Sequence, residues 1–383
     1  MSLYVMPSIG KIESMPNRKL KICLIFGTRP EIIKLSPVIR ALQARHVPYF
    51  MIHTGQHFSF EMDRVFFKDL ELPEPKYQLM RKSSSANLHA EHTGHMMDAI
   101  EKILLKENPT DVLVQGDTNS VLAGALAASK IPGVRIGHIE AGLRSYDRQM
   151  PEEINRIVAD HVSHTLFAPT KDSAAILLRE GIEKKKIFVT GNTIVDAVIQ
   201  NDKLADKKVS YEKWLNSADE PFFLMTIHRQ ENVDERLRLT AILKGVGRVA
   251  DHFKTQVVFP IHPRTAGRLK HFGLSLPDRV RAVEPCGFLD FLWLEKRAGL
   301  LLSDSGGVQE EGCILCVPCV TLRTSTERPE TVEAGANLIA GFNPDEILRC
   351  AKSIMSRRRN WRNPFGDGRS AERILKILSG ASR

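Results

Sequence analysis

With 383 residues, 43% of them apolar and 26% charged, the chain has the composition of a soluble globular protein and is too long for one compact core, so two domains of roughly 150 to 200 residues are expected. No apolar run approaches the roughly 20 residues of a membrane span. The net charge of +9 calls for an anionic partner, but Lys and Arg are spread out, with short clusters only at 184–186 and 357–359 and no aromatic-basic repeat; this favours a small anionic substrate over nucleic acid or a membrane surface.

Residues 1–18 read as a loose extension, with Met15 as an alternative start; they lack the basic start and continuous apolar region of a signal peptide, so a cytoplasmic location is expected. From Lys21 to about Ile199 the strand candidates KICLIF, YFMIH, DVLVQ, VRIGHI, TLFAP and KIFVT alternate with amphipathic segments. That alternation predicts an α/β fold, a parallel sheet with helices on both faces. After a polar stretch from Asn201 to Glu220 it restarts with FFLMTI, QVVFPI, RVRAV, GLLLS and CVTLR, with helices such as Glu235 to Val249 between them. A last helix, Ala371 to Leu378, follows a Pro-Gly-rich break at Asn363 to Gly368. The expected division is residues 19–200 and 201–361, with 362–383 packing back on the first domain.

Two doubly wound domains in tandem bind ligands outside the carboxyl ends of their strands, so post-strand residues carry the most weight. LLSDSGGVQEE places Ser305, Gly306 and Gly307 between an apolar strand and a helix start, a turn that exposes N–H groups to a phosphate, with Glu311 in reach of a ribose diol. The same segment also reads as an ordinary turn using glycine for positive φ. After the first strand, Arg29 and Lys34 set two cations near a helix start opened by Pro30, suited to a diphosphate or simply solvated. Asp117 and Glu140 follow the strands DVLVQ and VRIGHI, where a proton carrier would face a ligand; Asp117 equally suits a helix N-cap. Beyond the Glu140 loop and its Arg144, Glu152 and Arg156 lie four apart on one helix face, as a surface ion pair or as a third cleft carboxylate with a cation. His228 follows FFLMTI, a position for a proton carrier or phosphate donor.

Cys313, Cys316 and Cys319 read as buried structural thiols, and His89, His92 and His95 as a helix face without the partners a metal needs. There is no Walker sequence and no GxGxxG after the first strand. Three carboxylates, a histidine and several cations in post-strand loops point to proton chemistry on an anionic ligand.

FGTRPEIIK, QGDTNSVLAG, GHIEAGLRS with MPEEINR, VTGNTIVDAV, TIHRQEN, SDSGGVQEE and TERPE occur in the order found in non-hydrolysing UDP-N-acetylglucosamine 2-epimerases, which the chain resembles from about Lys21 to its C-terminus. The resemblance implies the GT-B architecture, with UDP in the cleft between two Rossmann-like domains, and interconversion of UDP-GlcNAc and UDP-ManNAc without nicotinamide, other cofactor or metal. The implied route is loss of UDP to a 2-acetamidoglucal, then readdition with a proton delivered to the opposite face. By resemblance Arg29 and Lys34 belong to the nucleotide-sugar site, Ser305, Gly306 and Gly307 to the diphosphate turn, Glu311 to ribose, Phe291 to uracil and Arg328 to the ligand. Asp117, Glu140 and Glu152 match acidic residues of proton transfer, with Asp117 and Glu140 expected as the acid/base pair, and His228 matches a ligand-contacting histidine that assists UDP departure. Arg144 and Arg156 complete the expected substrate site, and a homodimer is expected.

The chain departs from the pattern at Cys316, where relatives commonly carry Gly, and at Thr324, where an acid often follows the strand Arg. Gln56 and His57 resemble a region that helps bind an activating second UDP-GlcNAc in some bacterial members. A 2-epimerase of a modified UDP-sugar, a hydrolysing epimerase releasing ManNAc, a GT-B glycosyltransferase and a nucleotide-sugar-binding regulator share much of this pattern.

Overall fold

A computed structural model describes residues 19–56, 60–79, 89–215, 217 and 220–380. The extension 1–18 with Met15, and His57, lie outside the described residues. The first half supplies β1 (Ile22–Phe26), β2 (Tyr49–His53), β3 (Tyr77–Gln78), β4 (Asp111–Gln115), β5 (Arg135–Ile139), β6 (Thr165–Ala168) and β7 (Ile187–Val189). They form one sheet in the order β3-β2-β1-β4-β5-β6-β7. The second half supplies β8 (Phe222–Thr226), β9 (Gln256–Pro260), β10 (Val280–Val283), β11 (Leu301–Ser303), β12 (Cys319–Thr321) and β13 (Asn337–Ile339), in the order β10-β9-β8-β11-β12-β13. All pairings are parallel.

The central strands are largely apolar because helices cover both faces; every residue of β1 is fully buried. In each sheet the order reverses beside the first strand, between β1 and β4 and between β8 and β11. There the outgoing connections diverge and leave a crevice at the carboxyl ends. Two short strands add to those read from the sequence. β3 has two residues and β13 three, neither within a run of apolar residues long enough to stand out, and both lie at sheet edges.

Near its C-terminus the chain contacts elements of both halves. Trp361 Nε1 donates to the Cys313 carbonyl at 3.0 Å, and the Asn192 N–H donates to the Phe365 carbonyl at 2.8 Å. The helix Ser370–Leu378 then packs on the helices Arg29–Ala44 and Thr193–Lys208. Its start is held by the buried Asp196 carboxylate, which accepts the N–H groups of Ser370 and Ala371 at 3.1 and 3.0 Å. Among the described residues no helix is long and apolar enough to cross a membrane.

Candidate functional site

β1 runs into Gly27 and Thr28 and then into the helix Arg29–Ala44, which Pro30 pre-organises at its first turn. The buried Glu31 carboxylate accepts from the Gly27 N–H at 3.0 Å, Thr28 Oγ1 at 2.8 Å and Thr118 Oγ1 at 2.9 Å. It thereby stitches the loop after β1 to the loop after β4, across the switch point. Burial raises Glu31 to about 7 despite these donors. Arg29 is anchored by Asp63 at 3.0 Å, its guanidinium 5.1 Å from the Phe66 ring centre.

Thr118 caps the helix Asn119–Ser129 by accepting the Val121 N–H, so Asp117 is not the cap. Asp117 instead pairs with Arg156, while its backbone carbonyl accepts from Asn155 Nδ2 at 2.9 Å. Burial raises its carboxyl and Glu140 adds to the rise, against the pull of Arg156. Glu140 takes the left-handed backbone conformation, φ 69°, which a side chain with a Cβ adopts at a cost and which clusters at functional sites. Its carboxylate is buried and accepts from Lys34 Nζ at 2.6 Å, from Asn192 Nδ2 at 3.3 Å and from Gln115 Nε2. Burial alone would raise this group, but Lys34 and Arg328 hold it below the ordinary Glu range.

Two expectations for the next loop change. Arg144 turns away into the protein, 1% exposed, and pairs with Asp160 at 2.8 Å and Glu180 at 2.6 Å. Glu152 is exposed, and its expected pairing with Arg156 gives way to one with Glu153 at 3.1 Å. Glu153, 1% exposed, accepts the Ser145 N–H at 2.8 Å and the Tyr146 N–H at 3.0 Å. The helix start thus buries its second glutamate to pin the loop and leaves the first in solvent.

In the second unit Asp304, fully buried, accepts the backbone N–H groups of His228 and Arg229 at 3.1 and 3.0 Å and Asn232 Nδ2 at 3.1 Å. It locks the loop after β8 to the loop after β11. Partial burial holds His228 below the ordinary histidine value, so the ring is neutral at neutral pH. The helix Gly306–Ile314 starts directly after Ser305. Neither Gly306 nor Gly307 has a positive φ, and a Cβ on either would lie 3.7 Å or more from its neighbours. The turn therefore does not require glycine for its own geometry; the small side suits close approach of an external group to the helix N–H groups. Buried Glu310 bridges Arg328 at 2.7 Å and Lys34 at 3.8 Å, so a cation from each half meets one carboxylate. Beneath the turn, burial raises Glu311 to about 7, beside the fully buried Glu295, whose burial pushes it up further.

A cavity of about 320 Å³ opens between these loops. Lys34, His228, Phe291, Ser305, Gly307 and Glu311 line it, together with Pro30 and Glu310. Gly306 adjoins it in the same turn, Glu140 reaches it through Lys34 and Arg328 through Glu310. Arg29, Asp117, Arg144, Glu152 and Arg156 do not line it; Asp117 and Arg156 pair with each other, Arg29 with Asp63, and Arg144 with Asp160 and Glu180.

A family model described as UDP-N-acetylglucosamine 2-epimerase matches residues 40–379. A UDP-N-acetylglucosamine 2-epimerase of Methanocaldococcus jannaschii is 53% identical over 366 residues, covering 94% of this chain and 99% of that protein. One of Methanococcus maripaludis is 51% identical, covering 95% and 99%. The chain belongs to the UDP-N-acetylglucosamine 2-epimerase family. A crystal structure of the M. jannaschii epimerase in complex with UDP-GlcNAc and UDP superposes with a TM-score of 0.83 over 94% of this chain and all of that one.

Within this epimerase framework, Glu31, Gln115, Glu153, Asn192, Asp304 and Glu310 shape the site although sequence reasoning did not single them out. All six lie within or beside motifs legible in the sequence, and all hold other groups in place. Only Glu310 had a local signal, as the first glutamate of GVQEE.

Proposed function

We propose that this chain catalyses the reversible C2 epimerisation of UDP-N-acetylglucosamine to UDP-N-acetylmannosamine by elimination and readdition of UDP. The observation that supports the reading is a cavity whose lining joins the helix start at Ser305–Gly307 to Lys34, the cation that pairs with the buried Glu140 carboxylate at 2.6 Å. In this reading the helix start at Ser305–Gly307, with Lys34 and Arg328, binds the diphosphate as charge develops on it. Glu311 takes the ribose diol and Phe291 packs beside uracil. Neutral His228 donates to the leaving oxygen.

Asp117 and Glu140 serve as the acid/base pair. Their surroundings push them apart: Glu140 is held ionised by Lys34, whereas burial favours a proton on Asp117. One removes the C2 proton and the other returns a proton to the opposite face, and closure of the two halves retains UDP and the glucal between the steps. Exposed Glu152 joins the site only in a closed form. The division into units 19–200 with the returning segment and 201–361, a cytoplasmic setting and a homodimer belong to the same proposal.

Incubation with UDP-GlcNAc in D₂O without acceptor tests it. UDP-ManNAc carrying deuterium at C2 is the expected product. Product without deuterium refutes the proton-transfer route, and free ManNAc plus UDP shows the hydrolysing reaction instead.

A further inference from the structure

His138 sits on β5, fully buried, between the two loops that carry the proposed proton carriers. Its Nε2 lies 2.7 Å from the Gly116 carbonyl and its Nδ1 2.7 Å from Asp160 Oδ1. A carbonyl only accepts, so Nε2 carries a hydrogen. Asp160 also accepts from the Gly142 N–H at 3.2 Å and from Arg144 at 2.8 Å, so it is ionised and Nδ1 must carry a hydrogen too. Both ring nitrogens donate, which only an imidazolium does.

The charges facing this ring are Asp160 from the helix Pro151–Val162, with Arg144 and Glu180 behind it, and Glu140 from the end of its own strand. Burial opposes the charge, but Asp160 outweighs it and raises the histidine above its ordinary value. The two bonds of the ring fix the functional loops from opposite sides. Gly116 is gripped at both ends, its N–H donating to the Ile139 carbonyl at 3.1 Å and its carbonyl accepting from His138, and Asp117 is the next residue. Through Asp160 the same ring holds Gly142, two residues past Glu140. Gly142 itself has no slack: its φ is +83°, and a Cβ would lie 2.4 Å from the Ser173 carbonyl oxygen.

We propose that His138 is a buried imidazolium that, with Asp160, acts as the positioning residue for both proton carriers, Asp117 and Glu140. The role in turnover rests on the epimerase reading above; the charge state does not. Neutral imidazole donates from one nitrogen only, so above the raised histidine value one of the two loops is released. Stability and turnover supported by the clamp are therefore complete at low pH and lost as pH rises through that value.

Nitrogen-15 NMR of histidine-labelled full-length protein, assigned with His138→Gln, reads the charge directly. Both ring nitrogens protonated at pH 7 is expected; a single neutral tautomer at pH 7 overturns the proposal. In turnover, His138→Gln is expected to lower kcat about 100-fold, the scale of a 1 Å misplacement of reacting groups, with UDP affinity within about 3-fold of wild type because the C-terminal half is untouched. Asp160→Asn is expected to move the alkaline limb of kcat to lower pH. Unchanged kcat in His138→Gln, or an unmoved limb in Asp160→Asn, overturns the positioning role. If His138→Gln does not fold, the limb in Asp160→Asn decides that role. Absence of C2 exchange in the wild type would remove the epimerase reading while the NMR result still decided the charge.

Discussion

Replacing Glu140 by Gln keeps the side chain's shape but removes its charge. In the native structure that carboxylate receives Lys34, Asn192 and Gln115 in a setting where it is 7% exposed. Breaking a buried ion pair by neutralising one partner costs about 3–5 kcal/mol. Glu310, 3.8 Å from Lys34, still offers partial compensation, so the lower end, about 3 kcal/mol, is expected. At about 2–4 °C per kcal/mol for a domain of this size, the first unit should melt about 6–12 °C lower. Loss of a proton carrier removes about 10²–10⁴-fold in rate, measured as deuterium entry at C2. UDP should still bind, because the proposed diphosphate turn at Ser305–Gly307 lies in the other half. Glu140 is held below its ordinary value, so its contribution is present above the unfolded Glu value of about 4.3 and is lost as pH falls through the lower native value. The melting gap between wild type and variant should therefore close in acid. Wild-type exchange, or a melting gap that persists undiminished in acid, refutes the reasoning.

Gly307→Ala should leave the melting temperature within about 2 °C, since the added Cβ meets nothing closer than 3.7 Å, yet weaken UDP binding at least about 10-fold by calorimetry if that side faces a phosphate. The pair Glu295 and Glu311 behaves oppositely to Glu140: the native Glu311 value of about 7 lies above its unfolded one, so stability falls as pH rises from about 4.3 towards it. Glu295→Met should consequently stabilise more at pH 8 than at pH 4.5, as paired thermal melts would show. Cys316 adopts φ 58° just after the helix Gly306–Ile314. Cys316→Gly should relieve about 1 kcal/mol and raise the melting temperature without changing exchange rates; lower stability would contradict the strain assigned there.

The alternation of apolar runs with amphipathic segments made eleven of the thirteen strands among the described residues legible, because parallel strands covered on both faces are nearly continuous apolar runs. β3 and β13 are held by edge pairing rather than by pattern. Post-strand position drew attention to Asp117, Glu140 and His228; of these His228 lines the cavity, and Glu140 contacts it through Lys34. Position does not fix direction, however. Arg144 follows the same strand as Glu140, but the carboxylates of Asp160 and Glu180 draw its guanidinium inward. Likewise the helical spacing that linked Glu152 to Arg156 said nothing of Glu153, which is buried because two loop N–H groups need an acceptor. Cys316 was visible as a departure from the family pattern, and its left-handed backbone explains why glycine suits that place.

The return of the last helix to the first sheet has a consequence for synthesis. The half made first lacks its Ser370–Leu378 helix, and Asp196 lacks the N–H groups it accepts, until the rest of the chain has been translated. The usual order, in which N-terminal domains finish folding while the remainder is still emerging, is thus inverted: the unit containing Asp117 and Glu140 begins first and is completed last. Asp117 and Glu140, the proposed proton carriers, stand on a finished scaffold only after the Ser305–Gly307 turn has already been made.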